Sequence, residues 1–384
     1  MGIGVRVGQT VALLKESAQG NVHLFGTAKS LSDAVFSGRQ RRYIVFLVIG
    51  YNAINGGWMS IFSIAKESRR FSDIHGAEIA MCTALGHPPL RRFTKFDNTG
   101  ELFPFALFLR DVPENSEVLV HVPECYIEKY ILRHHKAFRR ASVKWRFNIL
   151  LQNIDCAPSR DVVSELKKLG TVTATAAHAA YATAETAAQL DCPVRFLSTW
   201  VCPEEFMRTG FADKDDLIVV SPDQHPLKRR VLSEILSVFP THDIVEINNM
   251  TYREYRAVIQ RAKFSLTFGE GLDGYFVEPI FCGGIGMAMF NDRFFSTDYG
   301  DLPGVISAPE SNPGCISAFM AGVNNARTYT EIAERQFARL AKQYVRDEYL
   351  ANLRSFYKAH FASDVPQRLT RCASGEDLTV ATEN

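Results

Sequence analysis

Between residues 43 and 50 the chain reads YIVFLVIG, an unbroken apolar run. A glycine-bearing stretch (GYNAINGGW) follows, and then MSIFSIAKESRRF, where apolar positions return at helical spacing. Such a run suits a strand covered on both faces, and strand, loop and helix together form the opening unit of a doubly wound sheet. The same alternation continues. EIAMCTA (78–84), SEVLVHVP (116–123), WRFNILLQ (145–152) and TVTATA (171–176) read as strands. CYIEKYILRHHKAFRR (125–140), SRDVVSELKKL (159–169) and HAAYATAETAAQL (178–190) read as helices between or after them.

A second series opens with DLIVVS (216–221) and runs through the helix KRRVLSEILSVFP, the strand HDIVEIN and the helix TYREYRAVIQRA. The strand KFSLTF, a helix around EPIFCGGI and the strand IGMAMFN complete it. Two successive α/β series joined near 198–214 predict two sheets with a cleft between them. From 328 to 361 no proline or glycine interrupts the chain, which predicts two helices with a bend. The expected division is 1–198 and 199–350 for two Rossmann-like domains, 351–371 for a C-terminal helix packing back toward the first, and 372–384 for a flexible tail. No role is assigned to residues 1–40.

Length and composition agree with a globular chain of two domains: 384 residues, 46% hydrophobic and 22% charged. The net charge of +1 gives no case for a nucleic-acid partner, although RQRRY (39–43), RHHKAFRR (133–140) and LKRR (227–230) are local basic clusters. The eight cysteines are scattered and form no CxxC pair, so reduced thiols in a cytoplasmic protein are expected. The first residues lack the pattern of a signal peptide, and no window has the length of a membrane span. There is no HExxH, no His/Cys cluster, no GxSxG elbow and no Walker loop, so no metal requirement is expected.

The stretch 268–284, FGEGLDGYFVEPIFCGG, concentrates the chemistry. Glu270 and Glu278 stand with seven residues between them where a strand gives way to a helix. Glycines there let the backbone approach a ligand, and a helix start offers unpaired N–H groups to phosphate. Tyr275, Phe276, Val277, Pro279, Ile280 and Phe281 would bury the neighbourhood, and buried acids need partners. The run SLTFGEGLDGYFVEPIFCGGIGMAMF resembles the donor-site signature of retaining glycosyltransferases of the GT-B fold. Glu270 and Glu278 take the two glutamate positions, and Cys282 with Gly283 matches the family's cysteine–glycine step. Upstream, NMTYREYRAVIQRAKFSLTF is similar to the family's helix and strand. The sequence departs from the pattern at Asp273, Gly274 and Tyr275, where glycine–leucine–proline is common, and at Pro279, where alanine is usual.

The resemblance implies an α/β GT-B fold of two facing Rossmann-like domains. It implies transfer of a sugar from a nucleotide-sugar donor, with retained configuration, to a glycan or lipid-linked glycan in cell-surface polysaccharide synthesis. Glu278 would bind ribose hydroxyls and Glu270 would lie beside the donor sugar. The amides of Gly271, Leu272, Asp273, Gly274 and Tyr275 would meet sugar hydroxyls and pyrophosphate. Lys228 and Arg229, just beyond DLIVVS, would neutralise the diphosphate; this match is partial, because Ser221 or Pro222 occupies the position of the family's arginine. Gly56 and Gly57 resemble the paired-glycine loop near the donor phosphates, with Asn55 and Trp58 toward the acceptor. His121, at the end of its strand, would approach the transferred sugar, with Glu124 in the next loop. His75, His87, His178 and the step Gln152–Asn153 are further polar candidates.

The basic stretch 125–140 could meet an anionic glycan, a lipid-linked acceptor or the inner face of a membrane, or could be a solvated helix. Two alternatives stand beside the transferase: a non-catalytic or regulatory sugar-nucleotide-binding protein, and a nucleotide-sugar epimerase of the same fold.

Overall fold

The computed structural model describes residues 35–36, 41–50, 56–87, 101–139, 142–198, 201–268, 272, 274–290, 295, 299–307 and 314–361. Two parallel sheets organise them. The first contains β1 (Arg42–Val48), β2 (Glu78–Thr83), β3 (Leu102–Pro104), β4 (Glu117–Pro123), β5 (Lys144–Leu151), β6 (Thr171–Ala176) and β7 (Val194–Phe196), in the order β3-β2-β1-β4-β5-β6-β7. The second contains β8 (Asp215–Val220), β9 (Asp243–Glu246), β10 (Ala262–Thr267), β11 (Ile285–Met289) and β12 (Val305–Ile306), in the order β12-β11-β10-β8-β9.

Helices cover both faces of each sheet, as parallel strands require. In the first unit these are α1 (Gly56–Ser68), α2 (Ser72–His75), α3 (Phe105–Asp111), α4 (Arg160–Lys167) and α5 (Ala184–Leu190). In the second they are α6 (Lys228–Val238), α7 (Tyr252–Arg261), α8 (Gly274–Phe281), α9 (Cys315–Val323) and α10 (Ala326–Ala341). The alternation along β8 shows the two-sided burial. Leu217 and Val219 join one apolar cluster, with Phe276 and Ile280 of α8, while Ile218 and Val220 join another, with Val231 and Ile235 of α6.

The last helix, α11 (Arg346–Phe361), belongs by packing to the first unit. Its Tyr349, Leu353, Phe356, Tyr357 and Phe361 lie in the same apolar cluster as β1, β4 and β5. Tyr357 Oη shares a 2.6 Å hydrogen bond with Ser68 Oγ, His360 Nε2 bonds Thr173 Oγ1 at 3.0 Å, and Arg346 reaches Glu67 at 3.5 Å.

Several helices begin where a side chain can satisfy their first N–H groups. At α7, Thr251 Oγ1 accepts from Glu254 N (3.2 Å) while Glu254 Oε2 accepts from Thr251 N (2.6 Å), a complete capping box. Thr251→Ala is expected to destabilise the protein by about 1 kcal/mol, read as a lower urea midpoint at unchanged slope. The stretch 125–140 departs from the continuous helix that its composition predicts. It forms short turns at Glu124–Tyr126, Ile127–Ile131 and Leu132–Phe138, with His134 out of helical geometry (φ −108°, ψ 19°). Ile127, Tyr130, Ile131 and Phe138 are buried, but His134 and His135 occupy the intervening turn, so no apolar face holds a regular helix together there.

Candidate functional site

In an open parallel sheet, ligands bind beyond the strands' C-terminal ends where the strand order reverses. In the second sheet that point lies between β8 and β10. The backbone there is continuous across the gap: Ser221 N donates to Leu266 O (3.0 Å), and Phe268 N donates to Ser221 Oγ (3.4 Å). Of the residues expected just beyond, Glu270, Gly271 and Asp273 lie outside the described residues. Leu272 is buried, and Gly274 opens α8.

Glu278, one turn into α8, is 4% exposed and sits among buried Phe276, Val277, Ile280 and Phe281. Its carboxylate folds back on Gly274: a Cβ at that position would stand 3.2 Å from Glu278 Oε1. Tyr255 of α7 donates its hydroxyl to Gly274 O (3.1 Å). Arg256 follows, its guanidinium 3.7 Å from the centre of the Phe206 ring and bonded to Glu205 O at 2.5 Å. Tyr275 meets Tyr255 edge-on at 5.9 Å. Oε2 of Glu278 has no hydrogen-bond partner among the described residues. Burial raises the acid's pKa to about 8, with Glu205 adding to the rise and Arg256 and Tyr255 opposing it. A buried carboxylate oxygen is thus open, which suits a hydroxyl-bearing ligand.

The loop after β8 is braced by Lys228. Its Nζ donates to Ser221 O (2.7 Å) and Asp223 O (3.1 Å) and pairs with Glu246 at 3.3 Å. The side chain expected to meet a diphosphate is therefore engaged in fixing the loop's own carbonyls. Arg229 is exposed at the same helix start. His225, whose ring stacks on Phe268 at 5.8 Å, stands at the reversal point, and its Nδ1 accepts from Leu227 N (3.2 Å).

In the first sheet the order reverses between β1 and β4. There Gly57 O accepts from Gln152 Nε2 (2.9 Å), and Glu124 Oε1 accepts from Asn153 N (2.9 Å), so the start of α1 and the ends of β4 and β5 are tied together. Gly56 is exposed and Trp58 buried; Asn55 lies outside the described residues. Glu124 is 6% exposed, its Oε2 has no partner among the described residues, and burial raises its pKa to about 7.

His121 requires a correction. It is wholly buried inside the core, not at the rim, with its ring stacked on Phe46 (4.3 Å, 2°) and Nδ1 beside Asn148 Nδ2 (3.1 Å). Phe356 of α11 covers it at 5.4 Å, and burial together with His360 holds its pKa well below the ordinary value. No substrate atom reaches it in this arrangement. His75 is also internal, bonded to Ser68 O and Ala77 N. His178 lies against Tyr181, with its pKa lowered by burial to about 4.

Tyr255, Arg256 and His225 were not singled out in the sequence. Tyr255 and Ile259 supply the buried face of an amphipathic helix, and nothing in that periodicity separates a core tyrosine from one that also bonds the Gly274 carbonyl at the start of α8.

No protein-family model and no curated protein sequence matches the chain. Solved structures do resemble it. HepE of Anabaena, solved with UDP-glucose, superposes with a TM-score of 0.52 at 10% identity, over 84% of this chain and 99% of its own. The trehalose-6-phosphate synthase OtsA matches at 0.50 with 9% identity, over 85% of this chain and all of its own. The trehalose-phosphate synthase of Burkholderia xenovorans, solved with glucose-6-phosphate, gives 0.50 at 9% identity, over 84% and 100%. The fold is of the GT-B type. At these identities the likeness concerns the fold: two Rossmann-like parallel-sheet domains and a C-terminal helical segment. In this GT-B chain, no group of three or more His, Cys, Asp or Glu among the described residues could hold a metal ion. No helix among them is long and apolar enough to cross a membrane.

Proposed function

We propose that the protein is a retaining glycosyltransferase that moves a sugar from a nucleotide-sugar donor to a glycan or lipid-linked glycan acceptor. Its place would be cell-surface polysaccharide synthesis, working in the cytoplasm or at the inner face of the membrane, without a metal. The observation that carries this reading is Glu278: a buried acid with one free oxygen, at the strand-order reversal of the second sheet in a GT-B fold. Its carboxylate takes ribose hydroxyls. Glu270 lies beside the donor sugar, and the amides of Gly271, Leu272, Asp273, Gly274 and Tyr275 meet sugar and pyrophosphate. Arg229, with Gly56 and Gly57, faces the phosphates. Lys228 acts through the loop that it braces. Asn55, Trp58 and Glu124 stand on the acceptor side, and His121 supports the first sheet from within.

The leaving diphosphate accepts the acceptor's proton while the new C1–O bond forms on the face where the old one breaks. The site's electrostatic task is then to stabilise the departing diphosphate, and no carboxylate serves as a nucleophile as it would in a retaining glycosidase. Two measurements test the reading. A thermal-shift screen over nucleoside diphosphates and their sugars should find one donor, since a ligand at 100 times its Kd stabilises the native state by about 2.7 kcal/mol. With that donor and a panel of acceptors, proton NMR early in the reaction should show a product with the donor's anomeric configuration; an inverted product rejects the retaining class. A second reading, a non-catalytic sugar-nucleotide-binding protein, draws on the engagement of Lys228 with its own loop. Tight donor binding without turnover across the panel would select it.

A further inference from the structure

Lys228 has no proton left for a phosphate. An ammonium group offers three N–H donors, and here Ser221 O, Asp223 O and Glu246 take them at 2.7, 3.1 and 3.3 Å. The loop that Lys228 braces holds a second donor, fixed by contacts from two directions. His225 Nδ1 accepts from Leu227 N at 3.2 Å, so Nδ1 is unprotonated and the ring's proton sits on Nε2. Phe268, just past the end of β10, stacks on the ring at 5.8 Å with 29° between the planes. Tautomer and ring plane are thus both set, and the Nε2–H lies on the side of the ring turned away from Leu227. No described residue takes that N–H.

We propose that His225 binds the diphosphate of the donor, giving its Nε2–H to a phosphate oxygen at the strand-order reversal between β8 and β10. That the anion is the diphosphate of a nucleotide sugar rests on the function proposed above; that it is an anion follows from the surroundings. α6 begins three residues later with no acid in its first turn, so its helix field favours negative charge there. Arg229, exposed at the same start, adds a cation. The two acids of the neighbourhood are engaged: Asp223 Oδ2 accepts from Ser221 Oγ at 2.6 Å, and Glu246 pairs with Lys228. His225 itself is half-buried, held by its neighbours and still within reach of a ligand.

A histidine in this place changes how the loop meets phosphate. Its donor is directional and carries no net charge in this tautomer, so it selects an oxygen by position, whereas an ammonium acts as a point charge. The leaving diphosphate gains negative charge as the bond to C1 breaks, and a hydrogen bond aimed at that oxygen strengthens as it does so.

The test starts from the anion alone. Nitrogen NMR of the full chain, isotope-labelled at histidine, follows a titration with inorganic pyrophosphate, and then with UDP, GDP and ADP. The His225 Nε2 signal, identified by its loss in His225→Asn, should shift saturably with pyrophosphate and with the matching nucleoside diphosphate. Two variants separate binding from bracing. In His225→Asn the side-chain oxygen can still accept from Leu227 N, as in an Asx turn, but the Nε2 donor is gone. Diphosphate affinity should fall by about tenfold or more, while affinity for the parent nucleoside and the urea midpoint hold. In His225→Gln the amide nitrogen takes the place of Nε2, and most of the diphosphate affinity should remain. The opposite order, with His225→Asn binding as the wild type does and His225→Gln weakened, makes His225 a brace of its own loop and overturns the proposal. An Nε2 signal that neither pyrophosphate nor any nucleoside diphosphate moves overturns it too. A shift with pyrophosphate, without binding of any nucleoside diphosphate, keeps the anion site and removes the nucleotide identity with the function that supplied it. Equal binding of a nucleoside diphosphate by His225→Asn and the wild type keeps that function and rejects His225.

Discussion

Glu278→Gln is expected to weaken nucleotide-sugar binding by about 1.5–3 kcal/mol at pH 8 and above, where a charge-assisted bond to ribose is exchanged for a neutral one. The loss should depend on pH. Burial raises the acid's pKa to about 8, so below that value the free protein holds a proton that must leave before the carboxylate can take a diol. Each unit below the midpoint lowers wild-type affinity by about 1.4 kcal/mol, whereas glutamine has nothing to titrate. Two units below it the wild type has lost roughly 2.7 kcal/mol, so the two proteins should converge near pH 6 and separate towards pH 8. Calorimetry at three pH values reads this directly. Equal affinity of the two at pH 8, with the variant folded, removes Glu278 from the site.

The same acid has a predictable effect on stability. Its folded pKa, about 8, lies above the ordinary 4.5, so between these values the native state holds the proton and the unfolded state does not. Stability therefore falls as pH rises through that window. Glu278→Gln should unfold at higher denaturant than the wild type near pH 8, with the difference narrowing towards pH 5. A site residue that weakens stability while strengthening binding is the expected pattern for a group held in place for a ligand.

What the sequence disclosed follows from how the two sheets are built. Buried parallel strands read as apolar runs, and β1, β4, β5, β8, β10 and β11 each fall within or overlap a run recognised in the sequence. β3, β7 and β12 escaped because two or three residues carry no period; they are edge strands defined by their neighbours' hydrogen bonds. The helix expected over 178–190 contracts to Ala184–Leu190, because Thr183 caps the later start by accepting from Thr186 N at 3.1 Å.

The burial of Glu278 was legible from its apolar flanks, since the covering residues are its own sequence neighbours. His121 was not legible in the same way. It faces Phe46 across the sheet and Phe356 from a helix more than two hundred residues later, and no local pattern announces that cover. Lys228 was misleading for a related reason: a lysine at a helix start after a strand is equally placed to meet a phosphate or its own loop's carbonyls. The partners that decide, Ser221 O, Asp223 O and Glu246, become apparent only in three dimensions.

Gly283→Ala is expected to be among the most damaging small substitutions in the protein, costing about 2–5 kcal/mol from backbone strain and overpacking together. The cysteine–glycine step that resembles a donor-site signature has a structural reason here. Gly283 N donates to Ile280 O (2.9 Å) and Gly284 N to Pro279 O (2.9 Å), the paired bonds of a Schellman cap that ends α8 and turns the chain into β11. That cap needs a left-handed residue, and Gly283 has φ +85°. Space is as restrictive as conformation. A Cβ would overlap Thr209 O and stand 3.1 Å from Thr209 N, and Thr209 cannot retreat freely because its N–H is bonded to Cys282 O at 3.1 Å. Gly322 provides the opposite case within the same domain: it lies in α9, and a Cβ added there would have nothing within 4 Å. Gly322→Ala should therefore stabilise by about 0.5–1 kcal/mol through helix propensity alone. Urea unfolding of the two variants should move in opposite directions; a Gly283→Ala protein as stable as the wild type would mean that the chain leaves α8 by another route.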